Sequence, residues 1–421
     1  MNKRFIINCS LLLSYSVSFG QKLSPYQQMA DFDTLCAKLE YVHPDLYLYQ
    51  SIEEYENYKT KIKSSMTDSI SITDFYLKIA PFMANIKDGH SMMLPPITND
   101  LIANAKKDGK TMPLRIKASG DFFIVDYPVI DNSGVCEGDT ILGINGIRSK
   151  DILDRMYSLW GSEKGNGIKE GSVNAYWSPL LWYMYRWGES YEFTVKRGDK
   201  MEEIHLEGIP QSVAIKVIKE RQSKKRPESF TCSFSSDFTK ATLTIRNVFQ
   251  ETELKAFCDS VFKEINLRKI KDITIDLRNN TGGSSKCVER LISYFPHPDY
   301  SLYSKSQLKV SAYSKAYNKD RHPEIYRQIC NLKDGELFVL EDIPIKSNLK
   351  ESGLYHGKTT ILVNNKTYSG ASTLAHTMEK LGIASVEGET GCPDVYFGNY
   401  LHFTLPNSKI DYYISFSKFY E

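Results

Sequence analysis

"DITIDLRNNTGGSSKCVERLISYF" (residues 272–295) decides how this chain is read. Its first seven residues alternate as a strand does, and its last twelve space their apolar residues as a helix does. Between them lies "NNTGG" (279–283), a loop ending in two glycines. The same order surrounds it: "ATLTIRNVF" and "TTILVNN" (359–365) read as strands and "ETELKAFCDSVFKEI" as a helix. Strands alternating with helices imply crossover units and a largely parallel sheet, whose functional loops lie at the carboxyl ends of the strands. At the end of the 359–365 strand stands "TYSGASTLAH" (367–376), with two serines three residues apart where a helix begins.

Working outward, the first third is helical in pattern. Met29, Phe32, Leu35, Leu39 and Val42 recur every three or four residues, and "HPDLY" (43–47) stops that helix, because the residue before Pro44 avoids the α region. "SIEE" (51–54) has the capping-box pattern, with Tyr55, Tyr58 and Ile62 continuing one face. Phe75, Ile79, Phe82, Met83 and Ile86 form a third stripe that ends at "KDGHSMM". From about Thr111 the period changes to two, in "MPLRIKA" and "DFFIVDYPV". Turn signals at Gly138-Asp139 and Asn145-Gly146 then flank a short strand of Ile141, Leu142 and Ile144, with a helix from Ser149. "ESYEFTVKRGDKMEEIHLEGI" reads as a hairpin, "RQSKKRPES" (221–229) as a solvated linker, and 295–357 as an aperiodic excursion that could form a lid. The end, "NYLHFTLPNSKIDYYISFSKFYE", reads as a second hairpin turning at Pro406-Asn407-Ser408.

Composition narrows the function classes. The chain has 421 residues, 41% hydrophobic and 25% charged, with a formal net charge of +2. That is enough for two or three domains with real cores, and nothing in it calls for nucleic acid. Lys3 and Arg4, an apolar run from Phe5 to Val17 and small residues at Ser18 and Gly20 read as a signal peptide cut before Gln21. No later stretch approaches the roughly 18 apolar residues of a membrane span, so export to a periplasmic or extracellular compartment is expected. Cys9 leaves with the signal, and the scattered remaining cysteines fit no zinc spacing and read as free thiols.

The serines carry the chemistry. A hydroxyl at a strand-to-helix junction is exposed, and free N–H groups at the helix start favour developing negative charge. Most serines in that position only cap the helix. Here two glycine-bearing loops meet at adjacent strand ends, which favours Ser369 as a nucleophile with Ser372 as a supporting residue. The N–H of Gly370, with that of Gly282 or Gly283, would hold an oxyanion. His376 lies seven residues after Ser369 on the same helix, roughly 10 Å along its axis, too far for direct proton transfer.

"DLRNNTGG" followed by strand, "NNKTYSGAS" and helix resembles the serine peptidase family of carboxyl-terminal processing proteases, tricorn core protease and retinoid-binding-protein repeats (S41-type). Together with the 134–156 stretch, which resembles a PDZ domain of the bacterial kind, the resemblance covers nearly the whole mature chain. It implies a multidomain α+β protein: signal 1–20, helical bundle 21–108, PDZ-like domain 109–210 and α/β core 211–421 of ClpP/crotonase-like form. It implies a peptidase acting on polypeptide through an acyl-enzyme, with no metal or cofactor, and a PDZ-like groove taking extended peptide by strand addition. "HPDLY" and "DGHS" match the tricorn-like branch, which makes His90 the base. The Ser/Lys branch would need a lysine after the serine helix, and none lies between Lys380 and Lys409. Ser369 takes the first serine of the T-x-S-A-x-E pattern, whose Glu is Ser372 here. The branch also uses a Glu after a terminal strand to orient the histidine, a place that falls on Glu421. A catalytically silent peptide- or ligand-binding homologue, and a hydrolase of non-peptide esters or amides, are the alternative readings.

Overall fold

The computed structural model describes residues 22–224, 228–341 and 343–421, so the expected signal segment and its cleavage point lie outside the described residues. Helix Pro25–Val42 opens on a reciprocal cap in which the Ser24 hydroxyl accepts the Gln27 N–H and the Gln27 side chain accepts the Ser24 N–H. Pro25 suits the first turn, where its missing N–H costs nothing. The helix ends at His43 before Pro44, as the sequence requires, and buries Phe32, Leu35, Leu39 and Val42. Ile52–Ser64 starts from the expected capping box at Ser51. Ile72–Ala84 buries Phe75, Ile79, Phe82 and Met83. Each such side chain taken from water contributes roughly 1.5–3 kcal/mol.

A buried carboxylate ties these helices to the far end of the chain. Asp31 is 0% exposed and accepts from Asn407 N–H at 2.8 Å, Asn407 Nδ2 at 2.9 Å and Ser408 N–H at 2.7 Å. It thus satisfies the donors of the final hairpin's turn. Asp31→Ala should lower unfolding free energy by about 2–3 kcal/mol, because the turn's buried donors lose their acceptor. Denaturant melts would show this, and a loss below about 0.5 kcal/mol, the scale of surface substitutions, would contradict it.

The middle of the chain forms a six-stranded antiparallel sheet in the order Lys200–Glu207, Ser190–Arg197, Thr140–Ile144, Phe122–Pro128, Leu114–Ser119, with Ile147–Arg148 beside Thr140–Ile144. Period-two alternation predicts these strands, and Leu114, Ile116, Phe123, Val125 and Ile141 all point inward. Helix Ser149–Tyr157 follows where expected. A second helix, Gly167–Tyr185, has no periodic signal in the sequence, since Gly171 and Pro179 interrupt it and aromatics occupy most of its length.

The carboxyl-terminal part corrects the expectation of one largely parallel sheet. One five-stranded sheet has the order Phe230–Phe234, Lys240–Ile245, Asp272–Asp276, Lys358–Leu362, Ser385–Glu387, and only its first pairing is antiparallel. A second five-stranded sheet is antiparallel throughout. It is built on the long terminal hairpin Val395–Thr404 with Asp411–Tyr420. The 295–357 segment is therefore not simply an excursion. Its strand Lys305–Lys309 pairs with Asp411–Tyr420, an arrangement local periodicity could not show because only five residues take part. The expected linker also begins inside a helix, Gln211–Lys224.

Candidate active site

Strand Lys358–Leu362 delivers the chain into a turn held by Thr367, whose N–H donates to Asn364 O and whose hydroxyl donates to Leu277 O at 2.9 Å. Ser369 follows with φ 51° and ψ −133°, close to a region that glycine alone uses freely. Holding a side chain there costs on the order of 1–3 kcal/mol. Helix Gly370–Lys380 begins at once, yet the Ser369 side chain makes no capping bond to it. The hydroxyl instead faces the His90 ring, with Oγ 3.1 Å from Nε2. Its backbone N–H donates to the Cys392 sulfur at 3.1 Å. Ser372 is 4% exposed and lies against Cys392, so burial removes it as a rival nucleophile.

The glycine loop is pressed against this serine. Gly282 has φ +96°, and a Cβ there would lie 2.6 Å from Tyr368 O and 2.8 Å from Ser369 Cβ, so no larger residue fits. Asn280, 0% exposed, accepts the Gly282 N–H at 2.9 Å and donates to Ile245 O. Gly282 is thereby committed. Among the described residues no acceptor takes the N–H of Gly283 or of Gly370. Of the two partners offered for Gly370, the free donor is Gly283.

His90 reaches the core because its loop is stitched into the terminal sheet. Met92–Met93 pairs with Tyr412 and Tyr413, and Ser91 Oγ accepts the Ser415 N–H at 2.9 Å. Asp88, fully buried, accepts the His90 N–H at 2.7 Å, the Ser91 hydroxyl, and His43 Nε2 at 3.2 Å. Because Asp45 N–H donates to His43 Nδ1, the His43 proton lies on Nε2 and points at Asp88. "HPD" and "DGHS" are thus one unit: the first histidine braces the aspartate that braces the second. Although burial opposes its charge, the His43 contact lowers the Asp88 pKa. Burial lowers that of His90, with Asp88 pulling the other way, so the imidazole is a neutral base at pH 7.

Glu421 is not brought to this ring. Its Oε1 accepts from Thr373 at 3.1 Å, one helical turn past Ser369, and burial pushes its carboxyl up to about 7. The cause is register: Tyr420 pairs with Val395 and Glu421 N–H bonds Asp394 O, which sets the side chain beside the second turn of the helix. His376 lies farther along that helix, outside the Ser369–His90 contact. The residues that do face His90 Nδ1 are Tyr368, with its hydroxyl at 3.3 Å, and Asp88 Oδ1 at 4.0 Å. Tyr368 in turn donates to Glu163 at 2.6 Å. Asp88 and Tyr368 sit inside "DGHS" and "TYSGAS"; Glu163 carries no sequence signal. Asp88, His90 and Glu163 offer ligand atoms within 4.8 Å of one another, but a cation there would displace the bonds to His43, Ser91 and Tyr368.

The structure thus brings together a strained serine on a helix start, a histidine at hydrogen-bond reach and two unengaged backbone N–H groups, the kinds of group that a serine hydrolase uses. Residues 241–401 match the model of peptidase family S41. Mature CPAF has a similar fold, with a TM-score of 0.62 at 12% identity over 93% of this chain and 89% of that one. Mature CPAF complexed with lactacystin gives 0.62 at 13% identity over 93% and 90%. No curated protein matches the sequence. Among the described residues no helix is long and apolar enough to cross a membrane.

Proposed function

We propose that the chain is an exported serine endopeptidase or carboxyl-terminal processing peptidase that works through an acyl-enzyme on Ser369 with His90 as its base. The observation that carries this is the 3.1 Å approach of Ser369 Oγ to His90 Nε2 by a serine that caps nothing. Ser369 Oγ attacks the scissile carbonyl carbon while Nε2 takes its proton. The oxyanion forms against the N–H groups of Gly283 and Gly370. The imidazolium then protonates the leaving amine as the C–N bond breaks, leaving an ester on Ser369. Water, deprotonated by His90, attacks that ester, and collapse of the second tetrahedral intermediate releases the carboxylic product and returns the proton to Oγ.

The 109–210 region is read as a PDZ-like module that recruits extended polypeptide along the Leu114–Ser119 or Lys200–Glu207 edge, the two edges of the middle sheet. The test is incubation of the mature chain with an unfolded protein and, separately, with a panel of simple esters, reading new termini by mass spectrometry. New termini with the wild type and none with Ser369→Ala support the reading. Ester turnover without peptide-bond cleavage, or neither, overturns it.

A further inference from the structure

The turn between helices Ser149–Tyr157 and Gly167–Tyr185 belongs to the middle of the chain, yet it ends inside the site. It has no room to stand elsewhere. A Cβ on Gly161 would lie 2.6 Å from Asp88 O, and one on Gly167 would lie 1.9 Å from Asn365 O. The turn is wedged between the histidine loop and the serine loop. What it inserts there is Glu163, whose Oε2 accepts from the Tyr368 hydroxyl at 2.6 Å and from Gly89 N–H at 3.1 Å, while its Oε1 accepts from Phe397 N–H at 3.4 Å.

Proton positions give this contact a direction. For His90 to take the Ser369 proton, Nε2 must be bare and the ring proton must sit on Nδ1. Asp88 Oδ1 is 4.0 Å from Nδ1 and already accepts the His90 backbone N–H. The Tyr368 oxygen is nearer, at 3.3 Å, and its own proton is spent on Glu163. With Glu163 ionised, it can therefore only accept from Nδ1. The Tyr368 ring also lies against the imidazole, with centroids 5.0 Å apart and planes at 30°.

We propose that Tyr368 and Glu163 are the positioning relay of His90, in which Glu163 fixes the Tyr368 proton, Tyr368 fixes the Nδ1–H tautomer, and the carboxylate stabilises the imidazolium formed when Ser369 attacks. The relay rests on the Ser369–His90 reading and deepens it. It fills the place for which Glu421 was expected, from a different part of the chain. Because Glu163 comes from the middle region, seating that region against the core also completes the catalytic unit.

A pH signature follows. Asp88, His90, Tyr49, Tyr368 and Cys392 are the titratable groups facing Glu163, and none is a fixed cation. Burial, and then the Asp88 charge, push the Glu163 carboxyl up to about 8. A carboxylic acid with a raised pKa is neutral below it and anionic above it, so kcat should climb as pH rises through about 8. The His90 limb lies lower, since burial depresses its pKa.

The experiment compares wild type, Tyr368→Phe, Glu163→Gln and the double variant. Each single change should cut kcat roughly 10–100-fold with KM and Tm near wild type, and the double should be no worse than the worse single. The upper limb should vanish in Glu163→Gln and return, displaced, in Glu163→Asp. In 15N-histidine spectra His90 should be the Nδ1–H tautomer in the wild type and lose that preference in Tyr368→Phe. Wild-type kcat and pH profile in both singles would overturn the relay. So would a loss that tracks a fallen Tm with the limb unchanged. If the wild type cleaves no peptide, the Ser369–His90 reading fails, and the tautomer measurement still decides the relay.

Discussion

Ser369→Ala is expected to abolish hydrolysis of peptide bonds, lowering kcat by roughly 10⁴-fold or more, while Ser372→Ala keeps most of the activity. The two serines differ in what surrounds them. Ser369 is held at φ 51° with its hydroxyl on His90, whereas Ser372 is 4% exposed in the first turn of the helix. Removing Ser369 Oγ removes the atom that would bond to the acyl group. Removing Ser372 Oγ deletes a buried contact to Cys392. The second loss belongs to stability and should show in Tm. Equal loss of turnover in both variants would sink the assignment.

His90→Ala should be as damaging as Ser369→Ala, and the double variant should be no worse than either. A serine hydroxyl is a poor nucleophile without a base at hydrogen-bond reach, and the His90 ring is the imidazole within 3.1 Å of Oγ. The loop around it is held by backbone and buried contacts that survive the change, namely Met92–Met93 against Tyr412–Tyr413 and Ser91 against Ser415. Tm should therefore move little. If His376→Ala proved the crippling change instead, the base would lie on the serine's own helix and the account of His90 would be wrong.

The contact between Ser369 and His90 was legible because each sits in a short motif, and the resemblance carried them together across a sequence separation of 279. The glycines were legible for a physical reason: nothing larger can stand at Gly282. Choosing between Gly282 and Gly283 was not, because it turns on whether Asn280 takes one N–H. The terminal hairpin followed from period-two alternation and its turn residues. The fate of the residue after it did not, since a one-residue difference in register moves a side chain to the other face. Glu421 thus met Thr373 rather than His90. Glu163 lies in a polar turn whose sequence resembles any solvated loop, and only tertiary packing against Asp88 and Asn365 gives it a role. The parallel strands were read from alternation with helices, while the antiparallel sheet beside them depends on a five-residue strand in an aperiodic segment.

The most direct measurement is the site of phosphonylation by a fluorophosphonate, mapped by mass spectrometry of the digested protein in wild type and His90→Ala. Only a serine with an activated hydroxyl and donors for the developing oxyanion reacts rapidly with such a probe. The account predicts one adduct, on the peptide containing Ser369, formed quickly in the wild type and far more slowly in His90→Ala. An adduct on Ser372, or peptide-bond cleavage by a wild type that takes no label, would contradict it.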